Sequence, residues 1–305
     1  MPEPGPTPGA PDWRAAFVRL EGAYSEQTLR GYSADLRVYE KWCIEEGLPL
    51  FGGREVLLRF IAERMAGQAP ATIRRRLVAL RKACRLLRLP DPLDDEEVKL
   101  AVRRSLRRNG RRTAQALGLT ARLRDQLIAA CPETLKGLRD RALIAVGYDV
   151  LARRSELVAL RCEDLIALER GAKILVRRAK TDPLGEGRFA YVSAGGLKRL
   201  RRWLEAAGIT SGPIFRPMLN GRPLDRALHP CGVNRALKEA AQTAGLEPDL
   251  VRQISGHSMR VGAAQDLVVA GRSVLQIMTA GRWTSTNVLG AYVRAADLNV
   301  WEGEP

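Results

Sequence analysis

The chain has 305 residues, and its 50 lysines and arginines against 34 acidic residues give a formal charge of +16. Apolar residues make up 46%, enough to bury real cores, so wholesale disorder is excluded. No apolar run approaches the ~18 residues that would span a bilayer. The five cysteines (43, 84, 131, 162 and 231) contain no C-x-x-C pair, and there are only two histidines, His229 and His257. That argues for free thiols in a reducing, cytoplasmic setting and against a disulfide frame or a zinc site. With two histidines a multi-histidine metal site is impossible; no metal and no other cofactor is expected.

Residues 1–11 are proline-rich and read as a disordered lead without the pattern of a signal peptide. From Trp13 the pattern becomes helical. Ser25 is placed as the N-cap of a helix whose Leu29, Tyr32, Leu36, Tyr39 and Trp42 recur at intervals of three and four. A second amphipathic helix is predicted over 53–66. A third covers 70–87, with Ile73, Leu77, Leu80, Cys84 and Leu87 on one stripe, and a fourth runs from Asp94 or Asp95 to about Arg108. No strand signal occurs before residue 170. Residues 12–108 therefore read as one helical domain, 109–117 as a polar, basic linker, and 118–305 as a second, larger domain.

In that second domain helices are expected at 120–131, 137–150 and 155–160. The period then changes. Lys173-Ile-Leu-Val-Arg-Arg178 and Arg188-Phe-Ala-Tyr-Val-Ser193 read as two strands joined by the turn-rich AKTDPLGEG. Helices return at 195–207, 230–244, 258–270, 273–280 and 285–296, with Gly271 and Gly281 where C-caps would fall. The fold class is mainly α, with a small antiparallel β-sheet in the C-terminal domain.

The charge is mostly arginine, 42 against eight lysines. Arginine offers a flat fork suited to phosphate, whereas lysine is a point charge. The arginines also cluster, at 74–88 and at 103–112. Such blocks favour a nucleic acid partner, bound by charge neutralisation and counterion release. The candidate DNA contacts are Thr72, Arg74, Arg75, Arg76, Arg81, Lys82, Arg111 and Arg112. Because the apolar stripe uses Ile73, Leu77 and Leu80, Arg75 and Arg76 are expected to face DNA. A membrane partner is not expected, since these segments are short of aromatics. There is no G-x-x-x-x-G-K-[ST] loop for ATP and no acidic cluster of the two-metal nuclease kind.

What remains is a cationic, hydrogen-bonding set: L-A-Arg153-R-S-Glu156-L, A-Lys180-T, S-G-His257-S-M-Arg260-V-G, G-R-Trp283-T and Tyr292. Arg260 precedes Trp283 by 23 residues and Trp283 precedes Tyr292 by nine. In order and spacing this set resembles the tyrosine recombinases, or phage integrases, including a Trp where many members carry His. The runs T-L-R-G-Y-S-A-D-L-R-V-Y-E-K-W and A-T-I-R-R-R-L-V-A-L-R are similar to the family's core-binding helical domain. The resemblance covers about residues 12–298.

The resemblance implies a two-domain, C-shaped clamp around double-stranded DNA with a specific, inverted-repeat target. It implies site-specific recombination through a 3′-phosphotyrosine intermediate and a Holliday junction, by a homotetramer on two sites that is a monomer when free. Tyr292 would be the nucleophile. Arg153 and Arg260 would fork the phosphate oxygens, His257 and Trp283 would add donors, and Lys180 would protonate the leaving alkoxide. Glu156 would orient Arg153 or His257. Arg153 is preferred to Arg154 because R-x-S-E is the motif's spacing; Arg282, beside the Trp, is expected to touch the DNA backbone. Leu298, Val300 and Trp301 form an apolar tail that would dock on a neighbouring protomer. A type IB topoisomerase and a non-catalytic DNA-binding protein of the same fold are the alternatives. No segment for distant arm-type sites is seen, which favours a bacterial, phage or plasmid recombinase needing only its core site.

Overall fold

The computed structural model describes residues 11–108, 116–177, 187–293 and 296. The chain divides into two compact units, Met1–Ala114 and Gln115–Pro305. The disordered lead expected at 1–11 lies outside the described residues except for Pro11, as does most of the expected linker. Leu117, at the end of that linker, donates its N–H to the Gln253 carbonyl and so belongs to the second unit.

Among the described residues the first unit is built on five α-helices: α1 (Trp13–Val18), α2 (Glu26–Glu45), α3 (Gly53–Arg64), α4 (Pro70–Leu86) and α5 (Glu96–Arg108). Ser25 caps α2, accepting the Thr28 N–H on its hydroxyl and thereby satisfying one orphan donor of the first turn. The core is aromatic: the Phe60 ring stands 4.8 Å from Tyr39 and 5.0 Å from Trp42. Ile73, Leu77, Leu80 and Cys84 bury the predicted stripe of α4 against it.

The second unit starts with α6 (Ala121–Ala130), α7 (Leu135–Asp149) and α8 (Arg154–Val158). An antiparallel sheet follows in the order β1 (Leu165–Ala167), β2 (Ala172–Val176), β3 (Arg188–Val192). The expected hairpin is present, with Ile174 paired to Ala190; its tip at 178–186 lies outside the described residues. The strand β1 corrects the expectation of no strand before residue 170. It is three residues long and only partly covered, so its alternation is too short to read. After α9 (Ala194–Ala207) comes a second small hairpin, β4 (Met218–Leu219) and β5 (Arg222–Pro223). Asn220 and Gly221, both at positive φ, form its turn, the geometry Asn-Gly favours.

The chain then runs through α10 (Pro230–Thr243), α11 (Pro248–Gln253), α12 (Ser258–Val269), α13 (Val274–Gly281) and α14 (Thr286–Val293). Helix α12 is buried along its first two turns and packs on α6, α7, α13 and α14. Gly271 takes the left-handed turn after α12, at φ +69°. Gly281 does not: it ends α13 in helical geometry, and Arg282 carries the left-handed turn at φ +55°. Gly281 is small for another reason. A Cβ there would stand 1.8 Å from the Trp283 ring.

Candidate active site

The site is assembled where three segments of the second unit meet. The first is the corner between α7 and α8. Leu151 is left-handed at φ +47°, which reverses the chain and points its carbonyl inward. Arg153 then serves as N-cap of α8, and Glu156 sits at the third helical position. The Glu156 carboxylate accepts the Arg153 main-chain N–H at 3.0 Å and the Arg153 guanidinium at 2.6 Å. Glu156 is 3% exposed. Burial pushes its pKa up, but the Arg153 main-chain N–H, the Arg153 side chain and Arg282 outweigh it and leave it below the usual range. Of the two partners expected for Glu156, the structure supplies Arg153 and not His257. The neighbouring Arg154 is exposed and lies along the backbone of Gly256, where an added Cβ would meet its chain at 2.3 Å.

The second segment is the start of α12. His257 is its N-cap and Arg260 lies one turn on. Arg260 is fully buried. It donates to the Leu151 carbonyl and, at 2.5 Å, to the Gly281 carbonyl. Helix α12 packs closely at Gly262, whose missing Cβ leaves room for the Leu119 carbonyl; a Cβ there would stand 2.0 Å from that oxygen.

The third segment, α13 to α14, brings Trp283 and Tyr292. The Tyr292 ring centroid is 4.9 Å from that of Trp283 and 5.0 Å from that of His257. The Arg260 guanidinium carbon is 4.2 Å from the Trp283 centroid and 5.5 Å from the Tyr292 centroid, distances at which the ring faces attract a cation. The Trp283 indole N–H and the Arg260 Nε–H are buried without an acceptor among the described residues. A phosphate oxygen is the acceptor that such donors suit.

Positive charge dominates the surroundings. Burial first, then Arg260, Arg153 and Arg154, hold the His257 pKa down at about 4. Burial and Arg153 lower Arg260 to about 10, still protonated at neutral pH. At pH 7 the site is thus a neutral imidazole, a tyrosine and cationic guanidinia around one carboxylate. Among the described residues no group of three or more His, Cys, Asp or Glu could hold a metal ion, and no helix is long and apolar enough to cross a membrane.

The structure therefore brings together Arg153, Glu156, His257, Arg260, Trp283 and Tyr292. Lys180 lies outside the described residues, as do Arg111, Arg112, Leu298, Val300 and Trp301. Arg282 corrects the expectation of a DNA-backbone contact: it is 2% exposed and bonded inward, to Val150, Ala280, Leu151 and Glu156. In the first unit Arg74 is exposed and Thr72 half-buried. Arg75 forks Asp35 with 2.6 and 3.0 Å bonds yet keeps half its side chain in solvent. Arg76 departs from the outward placement expected of it: its side chain is 13% exposed and turned to Asp35. Arg81 pairs with Asp91 and Asp94, and the Lys82 ammonium sits 2.8 Å from the Tyr24 hydroxyl. Asp35 was not foreseen, although its place between Tyr32 and Tyr39 puts an acid on the buried stripe of α2. The Leu151 carbonyl carries no sequence signal.

Cations and hydrogen-bond donors packed about a tyrosine make an arrangement that can hold an anion. Residues 119–299 match the phage integrase family, and residues 15–88 match the N-terminal SAM-like domain of phage integrases. The chain belongs to the phage integrase family and is a tyrosine site-specific recombinase. It is 29% identical over 304 residues to the Cre recombinase of Escherichia phage P1, covering 92% of this chain and 88% of that protein. It is likewise 29% identical over 298 residues to an integrase/recombinase XerD homologue of Selenomonas ruminantium, covering 92% and 85%. The fold is shared with the Tn1549 transposon integrase in complex with circular intermediate DNA, with TM-score 0.68 at 16% identity over 92% of this chain and 93% of that one. It is shared also with a lambda integrase dimer bound to a core site, with TM-score 0.65 at 17% identity over 94% and 78%.

Proposed function

We propose that Tyr292 is the nucleophile of strand exchange and that Arg153, Arg260, His257 and Trp283 form its phosphate-binding shell. The phenol oxygen attacks the scissile phosphorus, and the bond to the 5′ oxygen breaks. The DNA is left joined through a 3′-phosphotyrosine, with a free 5′ hydroxyl. Excess negative charge on the non-bridging oxygens is met by the two guanidinium forks and the indole N–H. A neutral His257 offers one donor and one acceptor nitrogen, so it can bond a phosphate oxygen or receive the phenol proton. Lys180 is assigned the proton for the departing 5′ oxygen, a task typically worth ~10²–10⁴ in rate. Because the covalent link conserves the ester, religation to a second strand needs no nucleotide, and two rounds pass through a Holliday junction. No metal or cofactor is required.

The single observation that carries this reading is the packing of Tyr292 against His257, Trp283 and Arg260 at ring distances of 4.9 to 5.5 Å. Domains at 12–108 and 118–305 both engage the duplex, which carries an inverted-repeat site. Four protomers act on two such sites, each passing the Leu298, Val300 and Trp301 tail to its neighbour, within the cytoplasm of a bacterial host. The test is Tyr292→Phe on a nicked duplex bearing the site recovered by sequencing the protein's covalent adducts. Binding is expected to persist while the adduct disappears; an adduct formed by the variant contradicts the assignment.

A further inference from the structure

Arg282 and Glu156 are buried charges of the site that the chemistry above leaves unused. The Arg282 backbone lies at φ +55°, where glycine is at home and an arginine is not. The turn therefore does not require this residue, and a surface role is closed to it at 2% exposure. What the arginine adds is its guanidinium. Nη2 donates to Glu156 Oε2 at 3.0 Å and to the Leu151 carbonyl at 3.4 Å, while Nη1 donates to the Val150 carbonyl at 3.0 Å and the Ala280 carbonyl at 3.3 Å. Two of these acceptors each hold a second arginine. Glu156 binds Arg153, and the Leu151 carbonyl binds Arg260.

We propose that Arg282 is a positioning residue that locks the guanidinia of Arg153 and Arg260 into one phosphate-binding unit. The proposal rests on the reading that those two arginines bind the scissile phosphate. Glu156 is held from two sides: Arg153 takes Oε1, while Oε2 is shared by the Arg153 main chain and Arg282. Removing Arg282 leaves the carboxylate tethered only by Arg153, so it can swing and take the Arg153 fork with it. Removing it also takes one of two guanidinium donors from the Leu151 carbonyl and leaves that carbonyl to Arg260 alone. A displacement of about 1 Å in such a shell can cost ~10²-fold in rate. The same side chain ties the turn before Trp283 to the α7–α8 corner, so all three segments of the site share one joint.

The experiment is single-turnover adduct formation by the full chain on the nicked duplex above, with Arg282→Gly, Arg153→Lys and the double variant. Duplex affinity and the thermal midpoint are measured on the same proteins. Arg282→Gly suits the backbone and is expected to slow the adduct ~10–10²-fold with duplex affinity unchanged. In the double variant the two losses should not multiply, because both act through the same fork. A wild-type rate in Arg282→Gly, or losses that multiply, overturns the proposal. A wild-type rate in Arg153→Lys would instead overturn the reading of the site itself. Should Arg282→Gly fail to fold, Arg282→Gln, which keeps donors for the carbonyls and drops the cation, takes its place; failure of both to fold makes Arg282 structural and overturns the positioning role.

Discussion

His257 shows how a single environment sets both chemistry and stability. Burial, then Arg260, Arg153 and Arg154, lower its pKa to about 4, whereas an unfolded chain holds histidine near ~6.5. Between those values the unfolded state binds more protons, so stability falls as pH drops from about 6.5 toward 4 and is flat above. His257→Gln should make the thermal midpoint less steeply dependent on pH across that window; an unchanged slope would mean His257 is not the group. At Arg75 the logic runs outward. Asp35 grips one edge of the guanidinium and leaves the other half-exposed. Neutralising Arg74 and Arg75 together should lower the salt slope of DNA binding by about one unit for each phosphate they would otherwise neutralise. No change in slope or specificity would place the DNA face elsewhere. The set Arg153, Glu156, His257, Arg260, Trp283 and Tyr292 was legible only together, through its resemblance in order and spacing to the phage integrases, since each residue alone has an ordinary explanation. The inward turn of Arg282 and Arg76 was not legible, since an arginine's direction depends on a carboxylate distant in sequence.

At the level of elements, the helices were legible from periodicity and caps because each buries one stripe, as α4 does with Ile73, Leu77 and Leu80. What escaped was set by partners far along the chain. Strand β1 exists because Ile166 pairs with Lys173 across the ladder, not because its three residues alternate. Gly281 looks like a C-cap in sequence, yet its smallness serves the Trp283 ring. The entry to α12 depends on a comparable close approach at Gly262, 2.0 Å from the Leu119 carbonyl for an added Cβ. Backbone cannot yield as a side-chain tip does, so Gly262→Ala should cost about 1–3 kcal/mol. That corresponds to a melting midpoint lower by several degrees in a unit of this size. A wild-type midpoint would show that residues 118–119 are free to retreat. Since α12 carries both His257 and Arg260, adduct formation should fall further than stability does.

Across the whole molecule, a +16 chain of the phage integrase family uses its cations in two ways. Some are exposed, as at Arg74; others are internal struts, as at Arg76, Arg139 and Arg282. Composition alone cannot separate the two, because only the position of the neighbouring acids decides. Assembly is inferred from the apolar Leu298, Val300 and Trp301. Deleting 298–305 should preserve binding to a single site while reducing synapsis and recombination far more; wild-type recombination would rule out docking between protomers. The assignment of Tyr292 is tested most directly by digesting the trapped protein–DNA adduct, formed in excess EDTA without nucleotide, and mapping the modified peptide by mass spectrometry. The expected result is a nucleotide on Tyr292 through a 3′ phosphate, with a 5′ hydroxyl on the released strand. An adduct on another of the six tyrosines, or one that forms only when magnesium is restored, would contradict it.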